Sequence, residues 1–170
     1  MAKRVIQLTV NSRPVEGFVE PRRLLADFLR EDLELPGTHL GCEQGVCGAC
    51  TILLNGEPVR SCLMFAIQAE GADIMTVEGL SSNGNLHPIQ AAFRDHHALQ
   101  CGFCTPGFLM TCLYLLRTQP EIHDETEIRE ALSGNLCRCT GYQNIVDAVV
   151  DASARLRTGE QMAHPSGDLT

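Results

Sequence analysis

Apolar and polar residues alternate near the start of the chain, with Val5, Ile6, Leu8 and Val10 as the apolar positions across residues 4 to 10. That is the period of a strand with one buried face. Asn11-Ser12-Arg13 supplies turn chemistry and residues 15 to 19 extend again, so an opening hairpin is expected. Pro21 is expected to begin a short helix, with Leu24, Leu25, Phe28 and Leu29 forming the stripe that packs on the sheet. Thr51 to Leu54 and Glu57 to Met64 flank Asn55-Gly56, a pair suited to the positive φ angles of a type I′ turn, and predict a second hairpin. Ile74 to Val77 reads as a last strand.

From about residue 86 the period changes to that of helices. Pro88 fits the first turn of a helix reaching about Ala98, and Thr105-Pro106 reads as a cap and first-turn proline for a second helix, Gly107 to Arg117. Asp124, with Glu127 three residues on, starts a third helix that stops at Ser133-Gly134. Thr140 is expected to cap a fourth, Gln143 to Leu156. The fold class implied is α+β: residues 1–77 form a sheet domain and residues 86–158 a small four-helix bundle. Residues 78–85 are the candidate linker, and residues 159–170, without apolar periodicity, are expected to be a mobile tail.

Two halves of this size each bury only about 60% of their unfolded surface, so an internal cross-link would help them. The 170 residues carry a net charge of −8, which disfavours nucleic acid and anionic membrane surfaces. No apolar run approaches the roughly 20 residues of a membrane span, and the alternating N-terminus lacks the apolar stretch of a signal peptide. A cytoplasmic location is therefore expected. In that reducing setting nine cysteines point to metal ligation before disulfides.

Cys42, Cys47 and Cys50 are spaced C-x4-C-x2-C, with Cys62 twelve positions later, in the plant-type [2Fe-2S] order. A turn at Asn55-Gly56 sets residue 49 opposite residue 62 and so brings Cys62 beside Cys50. Gly41, Gly45 and Gly48 interleave with these cysteines, as a loop wrapping a compact cluster requires. Cys101 and Cys104, then Cys137 and Cys139, form a second quartet, and each pair precedes an expected helix start whose N–H groups would favour added negative charge. Spacing alone leaves zinc open at this second quartet. Arg138 could offset cluster charge or be merely solvated. Cys112 lies in an apolar helix and reads as a core side chain. Histidines 39, 87, 96, 97, 123 and 164 could in principle serve a Rieske-type cluster, but eight cysteines already fill two sites. There is no dinucleotide fingerprint, P-loop or nucleophile elbow, and the acidic residues show no catalytic pairing.

Three segments carry a resemblance: Gly41 to Thr51 (GCEQGVCGACT), Gln100 to Gly107 (QCGFCTPG) and Gly134 to Tyr142 (GNLCRCTGY). Together and in this order they closely resemble the iron-sulfur small subunits of molybdenum hydroxylases, the xanthine oxidase family, over about residues 3 to 157. The resemblance implies a β-grasp, plant-ferredoxin-like N-terminal domain, a four-helix C-terminal domain and two [2Fe-2S] clusters. It implies as partners a large subunit with a molybdenum-pterin cofactor and a medium subunit with FAD, assembled as a dimer of heterotrimers. The cluster on Cys101, Cys104, Cys137 and Cys139 would lie nearest the pterin, and that on Cys42, Cys47, Cys50 and Cys62 would face the flavin. Gln100 and Cys139 match positions that contact the pterin. The stretch Glu43-Gln44-Gly45-Val46 tilts the expected substrate of the complex toward an aldehyde or N-heteroaromatic ring, with carbon monoxide or an aromatic CoA thioester also open. A free ferredoxin-like carrier and a zinc-stabilised interaction module are the competing readings.

Overall fold

The computed structural model describes residues 2–82 and 84–158; the expected tail and His164 lie outside the described residues. Strands β1 (Arg4–Val10) and β2 (Arg13–Val19) pair in antiparallel register across the two-residue turn Asn11-Ser12, where both residues have positive φ. Ile6, Leu8 and Val10 face inward, as their spacing requires.

The first helical segment departs from expectation. Pro21 lies in a turn, and helix α1 (Leu25–Asp27) opens after one turn into a π-helical stretch, Phe28–Asp32. Leu24 is held outside the helix by a bridge to Phe65. Leu25, Phe28 and Leu29 still bury against the sheet.

Strands β3 (Thr51–Leu54) and β4 (Glu57–Arg60) form the second hairpin in the expected register, Leu54 opposite Glu57 and Thr51 opposite Arg60. The second strand is shorter than the apolar pattern suggested. Ser61 donates both its amide (3.3 Å) and its hydroxyl (2.8 Å) to the carbonyl of Cys50, and Ser61–Leu63 turns as a 3-10 helix. Strand β5 (Asp73–Met75) completes a mixed sheet of order β2-β1-β5-β3-β4, parallel between β1 and β5. Val77 belongs to a following 3-10 turn, Val77–Gly79, rather than to the strand.

Four helices follow: α2 (Pro88–Asp95), α3 (Thr105–Thr118), α4 (Glu125–Leu132) and α5 (Gln143–Arg157). Helix α2 stops short of Ala98, at His96, whose backbone leaves the helix. Asp124 caps α4 by accepting from the Thr126 and Glu127 amides. The other two threonine caps are not made. Thr105 is itself helical, behind an N-cap at Cys104, and Thr140 is separated from α5 by Gly141 and a left-handed Tyr142. Helix α3 is apolar on nearly every side because α2, α4, α5 and the sheet all pack around it.

Strand β3 is buried on both faces. Ile52 joins the core between the sheet and α1, whereas Leu53 joins the helical core with Phe108 and Leu113. Leu80, in the segment read as a linker, is buried in that helical core too. The two halves are thus pressed together along a continuous apolar seam.

Candidate metal centres

The first quartet sits in the irregular loop between α1 and β3, continued by the 3-10 turn after β4. Positive φ at Glu43, Gly45 and Gly48 lets the backbone wind inward, so that the amides of Gln44 and Cys47 each donate to Cys42 Sγ at 3.4 Å. These amides, Cys47 first, pull the Cys42 thiol down to about 7. Burial pushes Cys62 up to about 11, with the neighbouring Cys50 thiol adding to the shift. The four side chains fall into two touching pairs: Cys42 with Cys47, half-buried, and Cys50 with Cys62, buried.

The second quartet repeats this plan. Cys101 Sγ and Cys139 Sγ lie 3.5 Å apart on the surface, and behind them Cys104 meets Cys137, both half-buried. Burial, then the nearby Cys137, pushes Cys104 up to about 12. Partial burial pushes the Cys137 thiol up as well, yet it falls below the ordinary value. The hydroxyl and amide of Thr140 and the amide of Cys139 outweigh the burial. Thr140 Oγ1 stands 3.2 Å and its nitrogen 3.4 Å from Cys137 Sγ. The amide reaching this sulfur therefore comes from the loop ahead of α5, and the expected helix start lies further along the chain.

This two-by-two arrangement fits [2Fe-2S] clusters, in which four thiolates are shared between two irons. A single zinc needs four donors around one point, whereas the sulfurs here are disposed in pairs. Cys112 is fully buried inside α3, where desolvation holds its thiol protonated, in keeping with a packing role. Arg138 is exposed.

A seam of hydrogen bonds joins the two loops. The Leu136 amide donates to the carbonyl of Cys47 (2.9 Å), Asn135 Nδ2 to that of Gly48 (3.1 Å), and Arg60 Nη2 to that of Gly134 (2.7 Å). Gly107, in the first turn of α3, lies so close to the Gly48 carbonyl that a Cβ there would overlap backbone atoms. His39 adds a further tie: its ring stacks on Phe103, centroids 4.9 Å apart, and its Nδ1 lies 2.7 Å from the Phe103 carbonyl. The remaining described histidines do local work. His87 caps α2, His96 contacts Asp151 (2.8 Å), His97 occupies a left-handed turn and His123 meets the carbonyl of Glu121.

Gln100 and Cys139, 39 residues apart in sequence, are brought together, the Gln100 amide group donating to the Cys139 carbonyl at 3.1 Å. Sequence reasoning missed Asn135, Arg60 and the phenol of Tyr142, which accepts the Cys137 amide at 2.9 Å. Asn135 and Tyr142 lay inside the motif Gly134 to Tyr142, and Arg60 lay outside any. Thr140 was noticed for a different task.

Comparison with known proteins agrees with this geometry. Residues 8–75 match the 2Fe-2S iron-sulfur cluster binding domain family, and residues 76–150 match a second family, the [2Fe-2S] binding domain. The chain is 59% identical over 155 residues to caffeine dehydrogenase subunit gamma of Pseudomonas sp. strain CBB1, covering 90% of this chain and 93% of that protein. It is 58% identical over 151 residues to the nicotine 6-hydroxylase small subunit of Paenarthrobacter nicotinovorans, covering 89% and 90% respectively. Among solved structures, quinoline 2-oxidoreductase from Pseudomonas putida 86 superimposes with a TM-score of 0.90 at 53% identity, over 95% of this chain and 100% of that one. A sheet domain and a helical domain, each with its own cysteine quartet, thus place the chain among the iron-sulfur small subunits of the molybdenum hydroxylase family, as a subunit of an oxidoreductase.

Proposed function

We propose that Cys42, Cys47, Cys50 and Cys62 hold one cluster, within a domain spanning residues 1–77, and that Cys101, Cys104, Cys137 and Cys139 hold the other, within residues 86–158. Bound there, each cluster supplies a one-electron carrier. The chain passes electrons from a molybdenum-pterin site in a large subunit, through the second quartet and then the first, to FAD in a medium subunit. The assembly is a dimer of such heterotrimers in the cytoplasm, and its substrate is an N-heteroaromatic ring. The names of caffeine, nicotine and quinoline enzymes among the relatives support that substrate class.

The observation that carries the relay is the seam. Leu136 adjoins Cys137 covalently and donates its amide to the carbonyl of Cys47, so a single hydrogen bond separates a ligand of one quartet from a ligand of the other. Each quartet also keeps an outer pair of thiols toward its own surface, with Cys101 and Cys139 the more exposed. Gln100 beside them has its amide group committed to the Cys139 carbonyl, leaving its side-chain oxygen to accept from the pterin.

Purifying the complex from its native cells through a tag on this chain tests the reading. Molybdenum- and FAD-containing chains should co-elute, with about four irons and four sulfides per copy of this chain. An N-heteroaromatic substrate should generate two distinct reduced-cluster EPR signals. A chain that elutes alone with both clusters would be a free carrier, and a colourless zinc-bearing chain would remove the relay altogether.

A further inference from the structure

The loop from Cys137 to Tyr142 contains a closed set of hydrogen bonds around one cysteine. Gly141 and Tyr142 are consecutive left-handed residues, with φ of 68° and 72°. For tyrosine that backbone is unusual and persists only where surrounding contacts hold it. Here they turn the chain back on itself. The Tyr142 amide donates to Thr140 Oγ1 (3.2 Å), and the Tyr142 phenol oxygen accepts the Cys137 amide (2.9 Å). The ring is steadied edge-on against Phe108 of α3, with centroids 6.3 Å apart.

A hydroxyl has one hydrogen to give. With its oxygen already accepting from Tyr142, Thr140 directs that hydrogen to Cys137 Sγ at 3.2 Å, and its own amide approaches the same sulfur at 3.4 Å. The first quartet is served differently. The donors reaching Cys42 Sγ, Gln44 and Cys47, are both backbone amides. Among the described residues Thr140 supplies the one side-chain hydroxyl that reaches a sulfur of either quartet.

We propose that Thr140 is the residue that sets the reduction potential of the second cluster, its hydroxyl holding that potential more positive than backbone donors alone would. The inference rests on Cys137 being a cluster ligand. Reduction adds one electron and places more negative charge on the sulfurs. A hydrogen bond to a more negative acceptor is stronger, so the hydroxyl stabilises the reduced state over the oxidised one while its proton stays on oxygen. Tyr142 acts through Thr140 as a positioning residue.

The test uses the intact native complex carrying Thr140→Val or Thr140→Ser, with EPR-monitored redox titration and iron and sulfide analysis. Valine keeps the shape and removes the hydrogen bond. The valine complex should retain both clusters, with the midpoint of the second shifted negative and that of the first unmoved, and serine should restore the original value. An unmoved second midpoint in a fully loaded valine complex overturns the proposal, as does a serine complex that shifts as far as valine. Should valine prevent loading, pulsed EPR of the wild-type complex briefly mixed into D2O decides the matter. A deuteron coupled to the reduced second cluster must appear at the fast exchange rate of a hydroxyl, and its absence overturns the proposal. A wild-type complex without iron and sulfide would instead refute the assignment of the ligands.

Discussion

The Gly48 carbonyl oxygen accepts from the amide and hydroxyl of Thr51 and from the side chain of Asn135, while Gly107 presses on it from α3. Asn135 is 2% exposed, and its oxygen lies 3.0 Å from the Thr111 hydroxyl. Asn135→Ala removes a donor and leaves buried polar groups short of partners, so it should cost about 1–3 kcal/mol in denaturant-monitored stability. Gly107→Ala, which drives a methyl group into backbone, should cost at least the about 1–3 kcal/mol typical of overpacking. That each cysteine pair would have its sulfurs near one another was legible, because C-x4-C, C-x2-C and C-x-C spacings act locally, whereas the meeting of Cys101 with Cys139 spans 38 residues. Asn135 was not legible, since its partner lies 87 residues away and an asparagine after glycine looks like ordinary turn chemistry. Thr140 was legible as a hydrogen-bonding residue but not in its target, because a threonine three residues before a helical pattern reads as cap chemistry.

Among the elements, the two hairpins were the most readable, because two-residue turns fix register through local backbone chemistry alone. The helix beginnings at Pro21 and Thr140 were misread where another contact claimed the residue or a nearby one, as Phe65 claims Leu24 and Cys137 claims Thr140, and at Thr105 the cap falls one residue earlier, on Cys104. Helices α2 and α5 are also tied by contacts no single-helix pattern reveals: Asp95 pairs with Arg155, and His96, just past the end of α2, meets Asp151. Arg155, then Arg94, holds the Asp95 carboxyl below its usual range. Asp151 is lowered as well, because Arg155 and His96 outweigh its burial. Carboxylates with depressed values stabilise the fold above the unfolded value of about 4 and lose that contribution as pH falls through the lower folded one. Arg155→Met should therefore lower the Tm at pH 7, and the gap from wild type should narrow below about pH 4. A gap independent of pH would mean the arginine acts only through its packing.

For the whole molecule, the relay requires both quartets but not their joint assembly. Cys104→Ser should spare the first cluster, whose ligands lie in another loop, and lose or weaken the second. EPR of the reduced complex should then show the first signal intact, and turnover with a flavin-side acceptor should fall sharply. Undiminished turnover would put the second quartet off the electron path. The likeness of three motifs in order announced this architecture, and the matches at residues 8–75 and 76–150 bear it out. What the motifs did not convey is how tightly the halves are matched, since Leu53 of β3 belongs to the helical core and the Gly48 carbonyl fits only against a glycine at 107. The halves are consequently poor interchangeable parts. A hybrid grafting the first half of this chain onto the second half of a distant cousin would have to inherit residues 48, 53, 107 and 135 as one matched set.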